Sequence, residues 1–246
     1  MTLPNLLKPV KCKLIRCGSQ NDGGYLVSKK SIERSKSLIS FGILDDCSFE
    51  NHFIKINEVP VVCFDKINYK TYWKKRIYND LGAAIFNLNY QYIKNTFNKF
   101  FKLKNFFKSH NVFIEKKIIK ENDLTAILKN NQNIIKPYFL KIDIEGSEYR
   151  ILSDIIKNKD LFEAIIIEFH DVDLHLERIT KFVKDLNFKV THIHGNNFER
   201  ISNNIPIVLE ITFEKNPDTE SGFAILPNRN DAPCNPKNQE ISLNFD

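Results

Sequence analysis

The stretch FLKIDIEGSEYRIL, at residues 139–152, constrains the fold of this chain more than any other part of its sequence. It begins with a nearly continuous apolar run, which is typical of a strand that is covered on both faces. Asp143 and Glu145 come where that strand ends, Gly146 allows a sharp turn, and apolar residues then recur at helical spacing. The pattern predicts a buried strand and, directly after it, a helix over about residues 147–157. Ligands bind at the carboxyl ends of strands in open α/β sheets, so the two acids are candidate site residues.

Polar side chains also end the strands that are predicted after this one. Residues 164–169 form a second buried run, with Glu168 near its end and His170 directly after it. A third strand, at residues 188–194, ends in His194 and is followed by a Gly-Asn-Asn turn. Parallel strand ends meet at one edge of a sheet, so these groups are expected to line a shared cleft.

Strands and helices alternate along the chain. The apolar runs predict seven strands, at residues 37–43, 59–65, 111–115, 139–144, 164–169, 188–194 and 206–213. Helices are predicted at residues 48–55, 147–157 and 174–187. This alternation favours a doubly wound, mostly parallel α/β sheet. A short link without a helix, at residues 195–205, joins the last two strands, so one of them is expected to run antiparallel.

The first two strands have the pattern of a nucleoside site. The first ends in Gly42, with Asp45 shortly after it, and the second ends in Asp65. A glycine lets a ligand approach the backbone, and an acid about 20 residues later can accept hydrogen bonds from both ribose hydroxyls. The chain has no GxGxxG, which disfavours a dinucleotide with a pyrophosphate. A nucleoside without phosphates, such as S-adenosylmethionine, suits this loop better.

Composition narrows the class of protein. With 246 residues and 42% hydrophobic content, the chain is long enough for one sizeable core, and a single domain over residues 1–246 is expected. It has no apolar run of about 18 residues and no signal-peptide pattern. The five cysteines form no CxxC pair, so reduced thiols in a cytoplasmic protein are predicted. A net charge of +6, with lysines mixed among acids, suits an anionic acceptor and does not indicate nucleic-acid binding.

Residues 66–110 are rich in aromatic residues and lysine. Four of the aromatic and apolar residues fit one side of a helix: Ile93, Phe97, Phe100 and Phe101. We expect a helical insertion that packs on the sheet or on a second subunit, which would make the protein a homodimer. A lid over the acceptor is the second interpretation, since aromatic faces stack on sugars and bases. Attachment to a membrane surface through a basic amphipathic segment is the third.

The run KIDIEGSE, at residues 141–148, resembles the hallmark of FkbM-type S-adenosylmethionine-dependent methyltransferases. Further similar segments follow in the right order, from about residue 14 onward: NDGGY at 21–25, SFGI at 40–43, CFD at 63–65, IEFH at 167–170, HGNN at 194–197 and VLEITF at 208–213. A closing tail, over about residues 216–246, is also similar. The resemblance implies the class I methyltransferase fold, a Rossmann-like sheet of about seven strands with one antiparallel strand.

The resemblance also implies where S-adenosylmethionine binds. Gly42 and Asp45 would lie along its methionine part, and Asp65 would hold its ribose. Four residues ahead of the first core strand would cover the same cofactor: Asp22, Gly23, Gly24 and Tyr25. The adenine contact normally comes from the end of the third strand, where the sequence identifies no residue.

Methyl transfer to an alcohol needs a base or a metal at the acceptor oxygen, because the pKa of an alcohol is high. His194 or His170 is a candidate general base, since an imidazole titrates near neutral pH. Alternatively, Asp143, Glu168 and His170 would hold a divalent cation such as Mg²⁺ or Mn²⁺. Metal-dependent O-methyltransferases place acids at the same two strand ends, but they have a lysine shortly after the first acid, where a Gly-Ser pair stands here.

The function favoured by the resemblance is O-methylation of a sugar hydroxyl in polysaccharide biosynthesis, on a nucleotide-linked sugar or a surface glycan. A metal-dependent hydrolase such as a deacetylase, which would use the same acids and histidines without an adenosyl cofactor, is the alternative. A glycan-binding protein without catalytic activity is a third interpretation. Binding of the adenosyl cofactor separates the first from the second, and turnover separates the first from the third.

Overall fold

The computed structural model describes residues 2–108, 111–118, 120–198, 201–202 and 205–246. The strands formed by these residues are β1 (Val10–Cys12), β2 (Ile15–Gly18), β3 (Gly24–Val27), β4 (Ser37–Phe41), β5 (Val61–Asp65), β6 (Val112–Glu115), β7 (Tyr138–Ile142), β8 (Phe162–Phe169), β9 (Lys189–Gly195), β10 (Ile201–Ser202), β11 (Ile205–Pro206), β12 (Leu209–Glu214) and β13 (Thr219–Phe223). The α-helices are α1 (Lys29–Arg34), α2 (Ser48–Ile56), α3 (Tyr69–Phe86), α4 (Gln91–Phe106), α5 (Asp123–Asn130), α6 (Leu152–Lys157) and α7 (Val172–Leu186). Three 3₁₀ turns lie at Asn5–Leu7, Glu148–Arg150 and Lys159–Leu161.

Seven of the strands form one sheet in the order β6-β5-β4-β7-β8-β12-β9. The strands from β6 to β8 run parallel, whereas β12 runs antiparallel to both of its neighbours, β8 and β9. The strand order reverses next to β4, because the chain moves outward through β5 and β6 and then returns to β7 on the other side of β4. The predicted class I methyltransferase architecture is confirmed, including the one reversed strand.

Helices cover both faces of this sheet. Every residue of β4, β5, β7, β8 and β12 is buried, which explains why these strands have nearly continuous apolar sequences. On one face, the core includes apolar residues of α5, α6 and α7. On the other, it includes residues of α1, α2, α3 and α4, with Phe49, Phe53 and Trp73 among them. The carboxyl ends of the parallel strands are thereby held at one edge of a rigid layer.

The helix predicted over residues 147–157 is broken. Glu148–Arg150 forms a single 3₁₀ turn, and α6 begins only at Leu152. The side chain of Glu148 is fully buried and accepts a hydrogen bond from the backbone N–H of His170 at 2.8 Å, which ties this turn to the end of β8. In the link predicted at residues 195–205, positions 199, 200, 203 and 204 lie outside the described residues, and the described part contains β10 paired with β11.

The residues predicted as a helical insertion form α3 and α4, which pack against each other as a hairpin. Trp73 of α3 is buried at the base of this hairpin, with its ring centroid 5.3 Å from that of Phe100. The predicted apolar side of α4 is buried only in part, because Phe100 packs against the core whereas Phe97 and Phe101 are 41% and 51% exposed. Its buried residues are Thr96, Leu103 and Phe106. Within the described ranges, no helix has the length and apolar character needed to cross a membrane.

Candidate active site at the carboxyl edge of the sheet

A cleft of about 620 Å³ opens at the carboxyl ends of β4, β5, β6 and β7. This volume falls within the range of about 300 to 1,000 Å³ that is common for small-molecule sites. The loops after these strands, the segment before β3 and Lys99 of α4 form its walls. Seven residues that the sequence predicted for a site line this cleft: Asp22, Gly23, Gly42, Asp45, Asp65, Asp143 and Glu145.

Gly42 forms part of the cleft floor, at the end of β4. Its φ of +78° is favourable only for glycine, and a Cβ there would lie 1.5 Å from the carbonyl oxygen of Asp143. The Gly42 N–H donates to the carbonyl of Phe64 at 2.9 Å, and the Asp143 N–H donates to that of Phe41 at 3.1 Å. These hydrogen bonds join β4, β5 and β7 as far as the cleft floor. At Gly42 the floor is backbone without a side chain, which a ligand can approach.

Asp65 ends β5 with its carboxylate held in a fixed orientation. Its Oδ2 accepts a hydrogen bond from the backbone N–H of Leu44 at 2.9 Å, and its Oδ1 accepts one from that of Ile67 at 3.1 Å. Each carboxylate oxygen can accept a second hydrogen bond. The side chain can therefore serve two vicinal hydroxyls of a ligand in the cleft without losing its own support.

Asp45 lines the cleft, but the structure opposes its predicted role beside the cofactor. Its Oδ1 lies 3.0 Å from Nζ of Lys99, and its Oδ2 lies 3.2 Å from Nη1 of Arg76 and accepts a hydrogen bond from the Tyr72 hydroxyl at 3.1 Å. All three partners belong to α3 and α4. The carboxylate is thus occupied in holding the hairpin on the loop after β4.

The four residues predicted to cover the cofactor divide into two pairs. Asp22 and Gly23 line the cleft, whereas Gly24 and Tyr25 begin β3 behind it. The hydroxyl of Tyr25 donates to Oε2 of Glu168 at 3.2 Å. Burial, followed by the charge of Glu210, raises the pKa of Asp22 above its usual value. A positively charged group in the cleft would favour the ionised form of Asp22 and lower its pKa.

Asp143, Glu168 and His170 come together at the ends of β7 and β8, as predicted. One ligand atom of each lies within 4.8 Å of the others. Glu168 is buried, and its Oε1 accepts a hydrogen bond from the amide of Asn196 at 3.0 Å. Burial raises the pKa of Asp143 to about 6, although the neighbouring charge of Lys141 opposes the shift. Asp143 is the member of this group that lines the cleft.

His170 is held by Glu148. Its Nδ1 lies 3.3 Å from Oε1 of Glu148, and its Nε2 lies 3.6 Å from Oε2 of Glu145. Burial would lower the pKa of His170, but the hydrogen bond and charge of Glu148, with the charges of Glu168 and Asp143, raise it to about 9. The imidazole is therefore protonated near neutral pH, which is unfavourable for the predicted role as general base.

His194, the other predicted base, lies apart from the cleft walls in a closed network. Its Nδ1 lies 2.9 Å from Oε2 of Glu210, and its Nε2 lies 2.7 Å from Oε1 of Glu240. Burial would lower the pKa of His194, but hydrogen bonds with Cys234, Glu210 and Glu240 raise it far above its usual value. Both ring nitrogens are engaged with carboxylates, so the geometry opposes a role for His194 as general base.

Four functional candidates were not identified from the sequence. Lys141 is a buried cation between Glu50, Asp143 and Glu168, and its Nζ lies 3.4 Å from the carbonyl oxygen of Gly42. A lysine inside an apolar strand was the available signal. The other three follow β6 and line the cleft where the adenine contact was left unassigned: Lys116, Lys117 and Ile118. Their position directly after the third strand was visible, but its end was not defined well enough to use.

The sequence matches a model of the methyltransferase FkbM domain over residues 3–190. Among curated proteins, no sequence matches the chain significantly. One solved structure with a similar fold is a precorrin-6y C5,15-methyltransferase from Geobacter metallireducens. Its sequence is 12% identical, the match covers 76% of this chain and 85% of that chain, and the TM-score is 0.42. TrmK from M. capricolum in complex with S-adenosyl-homocysteine has 14% identity, coverages of 79% and 68%, and a TM-score of 0.38. Fibrillarin from Methanococcus jannaschii has 11% identity, coverages of 84% and 83%, and a TM-score of 0.39.

Proposed function

This chain belongs to the family of FkbM methyltransferases that use S-adenosylmethionine, and we propose that its acceptor is a sugar hydroxyl, on a nucleotide-linked sugar or a surface glycan. The observation that carries the proposal is the shared cleft, in which Gly42 and Asp65 stand beside Asp143. Glu168 and Asn196 lie buried behind Asp143, where the Asn196 amide donates to the Glu168 carboxylate at 3.0 Å. The choice of a sugar rests on the family resemblance.

The residues around the cleft fit S-adenosylmethionine. Gly42 offers backbone without a side chain, and Asp65 offers a carboxylate held for two ribose hydroxyls. Asp22, which lines the cleft, supplies a carboxylate for the ammonium group of the methionine part. Ile118 supplies an apolar surface after β6 that suits an adenine ring. When bound, the cofactor supplies an electrophilic methyl group on a positively charged sulfur.

Asp143 is the proposed general base. Asp143 lines the cleft, and its backbone carbonyl lies against Gly42. It therefore stands next to the loop after β4, which we assign to the cofactor. When the acceptor hydroxyl is methylated, the Asp143 carboxylate would accept its proton. Its raised pKa of about 6 supports this role, because a base titrating near the working pH transfers protons efficiently. Lys141, which also lines the cleft, supplies a positive charge that would stabilise negative charge developing on the acceptor oxygen.

A divalent cation is the second way in which this site could activate the acceptor. Asp143, Glu168 and His170 offer two carboxylates and an imidazole within 4.8 Å of one another, a set that suits Mg²⁺ or Mn²⁺ when His170 has lost its proton. Glu148 lies behind His170 as carboxylates do behind metal-ligating histidines. The residues therefore fit a cation, which would lower the pKa of a bound hydroxyl.

Binding and turnover, measured separately, test the proposal. We expect micromolar binding of S-adenosylhomocysteine in calorimetry, and methylated product from nucleotide sugars in mass spectrometry. Asp143→Asn should keep cofactor binding and lose roughly 10²- to 10⁴-fold in turnover. Glu145→Gln is the matched control, because Glu145 also lines the cleft but is 70% exposed.

Each outcome bears on one part of the proposal. Normal turnover by Asp143→Asn would remove Asp143 as the base. Turnover that EDTA abolishes and Mg²⁺ or Mn²⁺ restores would establish the cation, whereas turnover unaffected by EDTA would exclude it. Cofactor binding without methylation of any sugar tested would contradict the acceptor class and leave the family assignment intact.

A further inference from the structure

The hairpin of α3 and α4 carries an unusual concentration of exposed apolar side chains. Counted over the part of the chain that the structure describes, nine of the 17 strongly exposed large apolar side chains lie between residues 78 and 101. The tip is the most exposed region, with Ile85, Phe86 and Leu88 exposed by 68%, 88% and 94%. Such a patch on a protein surface marks a contact with an apolar partner.

The exposed apolar residues also follow the helical repeat. Tyr78, Leu81 and Ile85 share one face of α3, since they are three and four residues apart. Phe97 and Phe101 share one face of α4, with their ring centroids 6.3 Å apart. The apolar surface therefore continues from the tip along both helices.

The same hairpin carries a net positive charge larger than that of the whole chain. Residues 66–108 contain nine lysines and one arginine against one acid, Asp80, which gives a net charge of +9. The whole chain has a net charge of +6, so the rest of it carries −3. All nine lysines are exposed. The partner of this surface must therefore be both apolar and negatively charged.

We propose that the tip of the α3–α4 hairpin inserts into the surface of an anionic lipid bilayer, while its lysines contact the lipid headgroups. Apolar side chains at the acyl boundary and basic residues at the headgroups are the combination that binds peripheral proteins to anionic membranes. A second copy of the chain does not fit, since two hairpins of +9 would repel each other. A nucleic acid would match the charge, but aliphatic side chains such as Ile85 and Leu88 offer no ring for base stacking.

Binding through the tip would place the active site at the membrane. The base of the hairpin is attached to the loop after β4, where the hydroxyl of Tyr69 donates to the carbonyl of Leu44 at 2.6 Å. Lys99 and Arg76 hold Asp45 in the same loop. A lipid-linked acceptor could then reach the cleft without leaving the bilayer. This consequence rests on the proposed function, whereas the lipid contact itself does not.

Vesicle flotation with the full chain tests the lipid contact. We expect the protein to float with vesicles of equal parts phosphatidylcholine and phosphatidylglycerol, and to bind phosphatidylcholine alone at least tenfold more weakly. The variant Phe86→Ser/Leu88→Asn should lose at least tenfold in binding to the anionic vesicles; asparagine is chosen because Leu88 has a φ of +48°. Leu174→Ser/Ile225→Ser is the matched control, since these residues are 76% and 83% exposed outside the hairpin.

The charge contribution is tested in the same assay. Lys74→Glu/Lys75→Glu should weaken binding to anionic vesicles, and added salt should weaken binding of the unmodified chain. Unchanged circular dichroism and Tm would show that the variants remain folded. Four results would overturn the inference: no flotation of the unmodified chain, equal binding to neutral vesicles, equal losses in tip and control variants, or binding of single-stranded RNA without flotation. Light scattering that shows a dimer dissociated by the tip variant, without lipid binding, would overturn it as well.

Discussion

Replacement of Asp65 by alanine removes the carboxylate that we assign to the ribose of the cofactor. A hydrogen bond to a charged group contributes about 1.5 to 3 kcal/mol, and about 1.4 kcal/mol corresponds to a tenfold change in Kd. Loss of one such contact should therefore weaken binding of S-adenosylhomocysteine roughly 10- to 100-fold, measured by calorimetric titration. The loss also leaves the N–H groups of Leu44 and Ile67 without their acceptor, so a lower Tm is expected.

A matched variant separates the two effects. Glu115→Ala removes an exposed acid at the end of β6, opposite Asp65 in the parallel pair, and Glu115 does not line the cleft. It should bind S-adenosylhomocysteine with unchanged affinity. Asp65→Asn keeps an acceptor for one of the two N–H groups and loses the charge, so its Tm should fall less than that of Asp65→Ala. Unchanged affinity in Asp65→Ala at full folding would refute the assignment of Asp65 to the ribose.

Three further predictions concern the floor of the cleft and the two acid networks. Gly42→Ala should lower the free energy of unfolding by more than about 2 kcal/mol in chemical denaturation, because the new Cβ would lie 1.5 Å from the Asp143 carbonyl oxygen. The control Gly82→Ala, in open space on α3, should not destabilise the protein. His194→Ala should lower the free energy of unfolding by about 3 to 5 kcal/mol, because Glu210 stays buried without the imidazole as its ionic partner. Lost turnover in a fully stable variant would instead support His194 as the base. In EDTA-treated protein, kcat/KM should fall as the pH drops below about 6, because a protonated Asp143 cannot accept a proton; an acid limb near pH 4 would contradict this role.

The sequence predicted those site residues whose position depends on the sheet alone. Gly42, Asp65 and Asp143 each follow a buried apolar run, and parallel strands bring their carboxyl ends to one edge. Asp143, Glu168 and His170 met for the same reason. No partner from a distant part of the chain was needed to place them.

Two predicted site residues, Asp45 and His194, have partners far away in the sequence that bear on their roles. The sequence pattern predicts a cofactor residue at Asp45, but the ammonium group of Lys99, 54 positions later, donates to its carboxylate. The sequence pattern predicts a general base at His194, but its Nε2 lies 2.7 Å from the carboxylate of Glu240, 46 positions later. Neither Lys99 nor Glu240 stands out by spacing or periodicity. The buried face of α4 was predicted only in part: Phe100 packs against the core but Phe97 and Phe101 do not, and a 3.6-residue repeat could not choose among phenylalanines on several sides of the helix.

The close contact between Gly42 and Asp143 also limits how this enzyme can acquire new acceptors. The backbone at Gly42 and that of Asp143, the proposed base, form one closely packed unit, since any side chain at position 42 would force them apart. Evolution or engineering could therefore alter acceptor choice most freely outside this unit, in the α3–α4 hairpin and in the segment from β9 to the C-terminal tail. A library confined to those two regions would sample new acceptors while the distance from methyl donor to base is kept.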